Sequence, residues 1–298
     1  MKFFSAATCR ALFKEGATSR GAKSRVRGQM ARDKSVRYHN RVARKYDAIY
    51  DDDYWRFHDD ITWHVIKPHL PRDMSARVVD LGCGTGKRGL KLLKSGFHTT
   101  FLDHAPAMIG QVREKLDELG KTSKTETVVG DIVSMPELPD STFALTLAMG
   151  DPLSICSDPE RATREMFRLC APNGIVIATA DNLYAAMDHY LDRKSIDELG
   201  KFVRTRRTRW LTSDREEQFE LTMFTPASLR KMFEKVGFEV LNVGGKPILP
   251  VRQHRELLAD AETYRALLEI EKSLTNDESA AARASHLQIV ARRRAEHS

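Results

Sequence analysis

Cysteine is scarce in this chain. Four occur among 298 residues, at Cys9, Cys83, Cys156 and Cys170, and no two form a CxxC pair. That argues against a disulfide-built fold or a structural zinc site, and it fits a reducing compartment. Long apolar runs are missing too. None approaches the roughly 20 residues that cross a bilayer, so no membrane insertion is expected. There is no internal repeat and no low-complexity tract. Most of the chain also lacks a surplus of positive charge. The net charge is +7, but the first 30 residues hold seven Lys and Arg against Glu15 alone, which leaves the remainder nearly neutral. A broadly basic, nucleic-acid-binding body is therefore not expected.

Hydrophobic residues make up 41% and charged residues 30%. This is an ordinary soluble composition, suited to one large domain with insertions or to two small ones. The leader, residues 1–30, is rich in Arg, Ser and Ala and poor in acids, which is transit-peptide composition. Met30 opens "MARDKSVRYHNRVARKYD" and reads equally well as a natural start, with the first 29 residues an upstream extension. The first reading implies a mitochondrial matrix location and the second a cytoplasmic one. Under either, the leader is expected to pack poorly.

From Ser75 onward, short apolar runs alternate with helical patterns. Strands are expected at Val78–Leu81, Thr99–Leu102, Thr127–Val129, Phe143–Ala148 and Ile175–Ala180. Helices are expected at Arg88–Lys94, Ala105–Leu119 (with Pro106 near its first turn) and Pro159–Leu169. This β–α alternation predicts a parallel sheet with helices on both faces. The pattern breaks over 183–223, a polar stretch rich in aromatics and Arg. It returns with a helix after Thr225-Pro226 that stops at Gly237, a strand Phe238–Val243, a helical stretch about Arg252–Leu274 and a last strand His286–Arg293.

The most informative stretch is "VVDLGCGTGKRG", Val78 to Gly89. A strand ends in Asp80, and Gly82, Gly84 and Gly86 follow at alternate positions. Dinucleotide sites use G-x-G-x-x-G to bring helix amides to a pyrophosphate. Here the spacing is G-x-G-x-G, with a carboxylate that would repel phosphate. An acid suits a ligand with a cationic head, and S-adenosylmethionine carries an ammonium and a sulfonium with no phosphate. Two further acids close strands: Asp103, 23 residues after Asp80, suits ribose hydroxyls, and Asp131 suits an exocyclic adenine amine. A single strand-end Asp is more often a cap or a turn former. Three in order, the first inside D-x-G-x-G-x-G, form a much stronger signal.

These segments resemble class I S-adenosylmethionine-dependent methyltransferases. "VVDLGCGTG" is similar to the family's first motif, "TTFLDHAPAMIGQVREK" to its second and "VVGDIVSMP" to its third. "FALTLAMGDPL", "MFRLCAPNGIVIATADN" and "FTPASLRKMFEKVGFEV" are similar to the later ones. The resemblance runs from about Arg37 to the end. It implies an α/β, Rossmann-like fold with a seven-stranded sheet, mostly parallel, whose last strand inserts antiparallel between the fifth and sixth. A helical lid would occupy 31–74, and the methyltransferase domain 75–298 would carry cap insertions at 183–223 and 252–284. By resemblance, Asp80 with Gly82, Cys83, Gly84 and Gly86 holds the methionine part of the cofactor. Asp103 holds the ribose, and Asp131 with Ile132 the adenine, with Met108 packing on the adenine or in the core; His104 is a further cofactor-binding candidate. Met149 faces the methyl group. Tyr46 and Tyr50 of the lid touch cofactor or substrate, or simply pack the lid on the core.

Methyl transfer from a sulfonium needs positioning and desolvation, and a base only if the acceptor loses a proton. Asp151, His189 and Tyr184 are the candidate bases, with His189 equally readable as an ordinary lid residue. Asp51–Asp53 with His58, Asp59 and Asp60 lacks clean ligand spacing and reads as a solvated charged face, so no metal is expected. The fourth-strand segment "MGDPLS" lacks the Asn-Pro-Pro-aromatic signature of members that methylate base amino groups. A small-molecule acceptor is expected, in a pocket lined partly by Tyr184, His189, Tyr190 and Trp210. The run Lys201, Arg204, Arg206, Arg207 and Arg209 either steers an anionic substrate or is a solvated face. The alternatives are an RNA or protein methyltransferase using that Arg-rich cap, or a non-catalytic binding or assembly module.

Overall fold

The computed structural model describes residues 34–209, 214 and 217–295. The leader 1–30 and Trp210, both named above, lie outside these. The helices, in chain order, are α1 (34–42), α2 (Tyr46–Ile49), α3 (Asp53–Ile66), α4 (Lys87–Lys94), α5 (Pro106–Leu119) and α6 (Pro152–Ile155). They continue with α7 (Pro159–Leu169), α8 (Leu183–Asp192), α9 (Ile196–Thr205), α10 (Pro226–Val236), α11 (Ala261–Leu274) and α12 (Glu278–Ala281). The strands are β1 (Arg77–Leu81), β2 (His98–Asp103), β3 (Thr125–Val129), β4 (Phe143–Ala148), β5 (Cys170–Asp181), β6 (Arg207–Arg209), β7 (Glu220–Thr222), β8 (Phe238–Lys246) and β9 (His286–Arg293).

Seven strands form one sheet in the order β3-β2-β1-β4-β5-β9-β8. Neighbours from β3 to β5 run parallel, whereas β9 is antiparallel to both β5 and β8. The expected insertion of the last strand is thus present. Alternation along each strand serves two cores. β1 sends Val79 and Leu81 to the face covered by α7 and α10, and Val78 to the face covered by α3 and α4. β9 does the same with Leu287 and Ile289 against Val290.

The chain runs outward from β1 to β2 and β3, then crosses back to β4 and β5. The carboxyl ends of β1 and β4 therefore flank the point where the direction of winding reverses, and a crevice opens there. Three insertions surround it. The lid α1–α3 is tied to the sheet by Asn40 Oδ1, which accepts the Ala107 N–H at 3.0 Å, and by Asp47, which accepts from Thr85 Oγ1 and from Lys115 Nζ. The segment after β5 folds as α8 and α9, followed by the antiparallel pair β6 and β7. The segment after β8 departs from expectation. Two short 3₁₀ turns, Val251–Gln253 and Arg255–Leu258, precede α11, which starts only where Asp260 caps it by accepting the Thr263 N–H at 2.8 Å. Among the described residues, no helix is long and apolar enough to cross a membrane.

Candidate active site

At the switch point lies a cavity of about 800 Å³. Its floor is the loop after β1. Gly82, Gly84 and Gly86 all take left-handed backbone, with φ of 64°, 54° and 85°. At Gly82 a side chain is excluded twice, by φ and by Pro152 Cβ only 2.9 Å from where a Cβ would stand. Gly82, Cys83 and Gly84 line the cavity, but Gly86 does not; it turns the chain into α4 as the residue before its first turn.

Asp103 closes β2 and faces the cavity. Its two oxygens are fixed from behind, Oδ2 accepting the Gly84 N–H at 2.9 Å and Oδ1 the Ala105 N–H at 2.8 Å. Each keeps lone-pair capacity toward the cavity. His104, Asp131, Ile132 and Met149 line the same wall, and Asp131 Oδ1 accepts the Val133 N–H at 3.0 Å. The lid supplies the roof. Rings run in contact from Tyr46 to Tyr50 (centroids 4.8 Å apart), to Trp55 (4.8 Å), to His58 (5.4 Å) and to His286 (5.5 Å). Phe219 and Leu221 close the cap side.

Six residues expected at the site or its pocket lie elsewhere. Asp80 is 1% exposed and points behind the glycine loop, where Oδ2 accepts the Gly89 N–H at 2.8 Å. Burial raises its carboxyl to about 6 against the pull of Gly89 and Arg88. Gly86 has the role in α4 described above. Met108 is fully buried with Val42, Ala43 and Ala105 where α1 meets α5, so it joins lid to sheet and does not reach the cavity. His189 sits on α8 with its ring edge-on to Tyr190 and outside the cavity lining. Tyr184 and Tyr190 likewise do not line it: Tyr184 is 45% exposed, and Tyr190 bonds Thr208 and stacks on Phe202 within the cap. The Arg cluster is on the outer face of the cap, where Arg207 pairs with Glu220. The acidic run of the lid has structural partners. Asp52 caps α3, and Asp59 pairs with Lys87 and Arg88.

The far end of the cavity is polar, and most of it was not read from the sequence. Asp151 takes a left-handed φ of 63°. The Gly150 and Asp151 N–H groups both donate to Thr179 Oγ1 at 3.0 Å, which fixes the turn after β4. Asp151 Oδ2 lies 2.8 Å from His286 Nδ1, and Asp181 Oδ1 lies 3.6 Å from the same atom. Burial disfavours charge on each, yet the mutual attraction of Asp151 and His286 prevails. The Asp151 carboxyl is held below its ordinary value and the His286 imidazole above it. Asp181 is pushed up to about 7 by burial and by the Asp151 charge. Behind them Lys246 is 1% exposed with Nζ on Thr62 Oγ1, and burial brings it down to about 7. No motif marks His286, Asp181 or His58. The one available signal was that His286 opens a strand and Asp181 ends one.

The set of groups fits an adenosyl sulfonium ligand. It offers two strand-end carboxylates, an apolar wall at Ile132 and Met149, and a close-approach glycine loop, in a volume within the usual range of about 300–1,000 Å³ for ligand pockets. Residues 78–174 match a family model described as a methyltransferase domain. Residues 78–174 thus carry a methyltransferase domain, in a fold shared with S-adenosylmethionine-dependent methyltransferases. The chain is 27% identical over 146 residues to a demethylmenaquinone methyltransferase of Leptospira interrogans, covering 46% of this chain and 56% of that protein. It is 20% identical over 220 residues to the tRNA 5-carboxymethoxyuridine methyltransferase of Escherichia coli, covering 73% and 80%. A crystal structure of an S-adenosylmethionine-dependent methyltransferase from Methanosarcina mazei shares its fold, with a TM-score of 0.57, 19% identity and coverage of 78% and 98%. The chain spans about half the length of the first curated relatives it matches.

Proposed function

We propose that this methyltransferase transfers the methyl group of S-adenosylmethionine to a small-molecule acceptor held inside the cavity. The observation that carries this reading is the continuity of one cavity. One space runs from Asp103 and Asp131 beneath the aromatic roof and ends at the polar wall of Asp151, Asp181 and His286.

Bound there, the cofactor supplies a sulfonium methyl group open to in-line displacement. Asp103, anchored from behind, accepts from ribose hydroxyls. Asp131 and Ile132 take the adenine edge and face, and the glycine loop lets backbone approach the methionine part. Tyr46, Tyr50 and Trp55 exclude water from the transfer point, which strengthens each polar contact inside. Asp151, fixed by Thr179 and His286, stands next to Met149 and Gly150 and orients the acceptor's polar group. Lys87, Arg88, Lys91 and Lys94 also line the cavity. Lys87 and Arg88 pair there with Asp59, which leaves Lys91 and Lys94 as the cations on that side able to attract a negatively charged part of an acceptor.

The test is transfer of label from methyl-tritiated S-adenosylmethionine, offered separately to a deproteinised metabolite extract and to total tRNA. Label in the low-molecular-weight fraction is expected. Label in tRNA alone would overturn the small-acceptor reading.

A further inference from the structure

The polar end of the cavity gathers three donor atoms from three distant parts of the chain. Asp151 comes from the turn after β4, Asp181 ends β5 and His286 opens β9 directly opposite Asp181 in the antiparallel register. One oxygen of each carboxylate and His286 Nδ1 all lie within 4.8 Å of one another. First-row divalent ions hold nitrogen and oxygen ligands at about 2.0–2.2 Å, which puts neighbouring donors about 3 Å apart and opposite ones about 4 Å apart. The 2.8 Å and 3.6 Å separations from Nδ1 fall in that range.

A second observation points to a ligand at the same place. His58 is 7% exposed and lines the cavity, with its ring 5.5 Å from that of His286. Both of its ring nitrogens are buried, and neither meets a hydrogen-bond partner among the described residues. Asp151 Oδ1 is buried and unpartnered in the same way. Orphaned buried polar atoms are costly, and three around one point call for a polar occupant.

We infer that Asp151, Asp181 and His286 form a binding site for a divalent first-row cation at the acceptor end of the cavity. One imidazole with two carboxylates is a mixed, rather hard donor set. It suits manganese, iron(II) or zinc better than soft metals, and better than calcium, which prefers oxygen alone. Three protein ligands leave positions open for water or for an oxygen of the acceptor, and a metal-bound water gives His58 the partner it lacks. The inference stands on these side chains and does not depend on methyl transfer.

The experiment uses the full chain, free of any affinity tag and stripped with chelator. It is titrated calorimetrically with manganese(II) chloride and, separately, with zinc chloride. Manganese binding is also followed by loss of the free-ion electron paramagnetic resonance signal. One equivalent is expected, weakened at least tenfold in Asp151→Asn and in His286→Gln and unchanged in His189→Gln. Pulsed resonance on the manganese-loaded unmodified chain should show coupling to a directly bound imidazole nitrogen, a readout that stands even if the variants fail to fold. Absence of binding by both ions would overturn the inference, as would binding without nitrogen coupling or binding that both folded variants retain. The three groups would then be a proton-holding network alone.

Discussion

Asp80 and Gly89 are joined by a 2.8 Å hydrogen bond from the Gly89 N–H to Asp80 Oδ2. That bond places the motif's acid at the first turn of α4, behind the loop, instead of against the cavity. Its carboxyl is raised to about 6 from an ordinary 3.8. An acid raised on folding gives stability that is present at low pH and is lost as the pH climbs from about 4 to about 6, because the unfolded chain ionises first. Asp80→Asn should therefore be more stable than the parent at pH 7.5, by about 1–3 kcal/mol, and close to it below pH 4. Denaturant midpoints across that range would show this. A variant less stable than its parent at pH 7.5 would mean that the charged carboxylate stabilises the fold.

The same pair separates support from contact. Asp103→Ala removes the carboxylate that faces the cavity and should weaken S-adenosylhomocysteine about tenfold or more, a loss of roughly 1.5–3 kcal/mol. Asp80→Asn should weaken it less. Calorimetric titration of both variants gives the ranking, and the reverse order would put Asp80 in the binding site.

Gly89 also has no room for a side chain. A Cβ there would stand 2.3 Å from Phe101 Cε1 and 3.1 Å from Asp80 Oδ2, whereas at Gly110 on α5 nothing lies within 4 Å. Gly89→Ala should cost about 1–3 kcal/mol through overpacking. Gly110→Ala should stabilise by about 0.5–1 kcal/mol through helix propensity. Thermal melts of the two variants should move in opposite directions.

The outer Arg cluster provides a control. Replacing Arg204, Arg206 and Arg207 together by Gln should leave cofactor affinity and acceptor KM unchanged, since none lines the cavity. Replacing Lys91 and Lys94 by Gln should raise the KM of an anionic acceptor. Steady-state kinetics on the acceptor found by labelling would distinguish the two sets, and a KM change in the Arg variant alone would restore the cap to the binding surface.

Local pattern made much of the scaffold legible. Strand Phe143–Ala148, helix Pro159–Leu169 and strand His286–Arg293 fall where period and punctuation put them. Asp103 and Asp131 reach the cavity from the carboxyl edge of the sheet, where this fold opens its crevice. Asp80 and Met108 were harder. A motif gives the position of a residue, but the direction of its side chain depends on the turn beside it. The left-handed glycine loop and the first turn of α4 draw Asp80 backward, and the packing of α1 on α5 buries Met108. His189 lies beside Tyr190 and outside the cavity lining, a placement that depends on how α8 packs and not on local pattern.

The sequence by itself determined the seven strands of the main sheet, the turn at Gly82–Gly86 and the acids that stand at and just after the ends of β2 and β3. Each follows from contacts within a few residues or from the side-chain period of a single element. Tertiary structure alone decided the polar end of the cavity. His58, Asp151, Asp181 and His286 share no motif and meet only because β9 runs antiparallel beside β5 while α3 folds over both. Once water is removed from around them, burial lowers the pKa of His58 and raises that of Asp181, while the attraction between Asp151 and His286 overcomes burial and holds that pair charged.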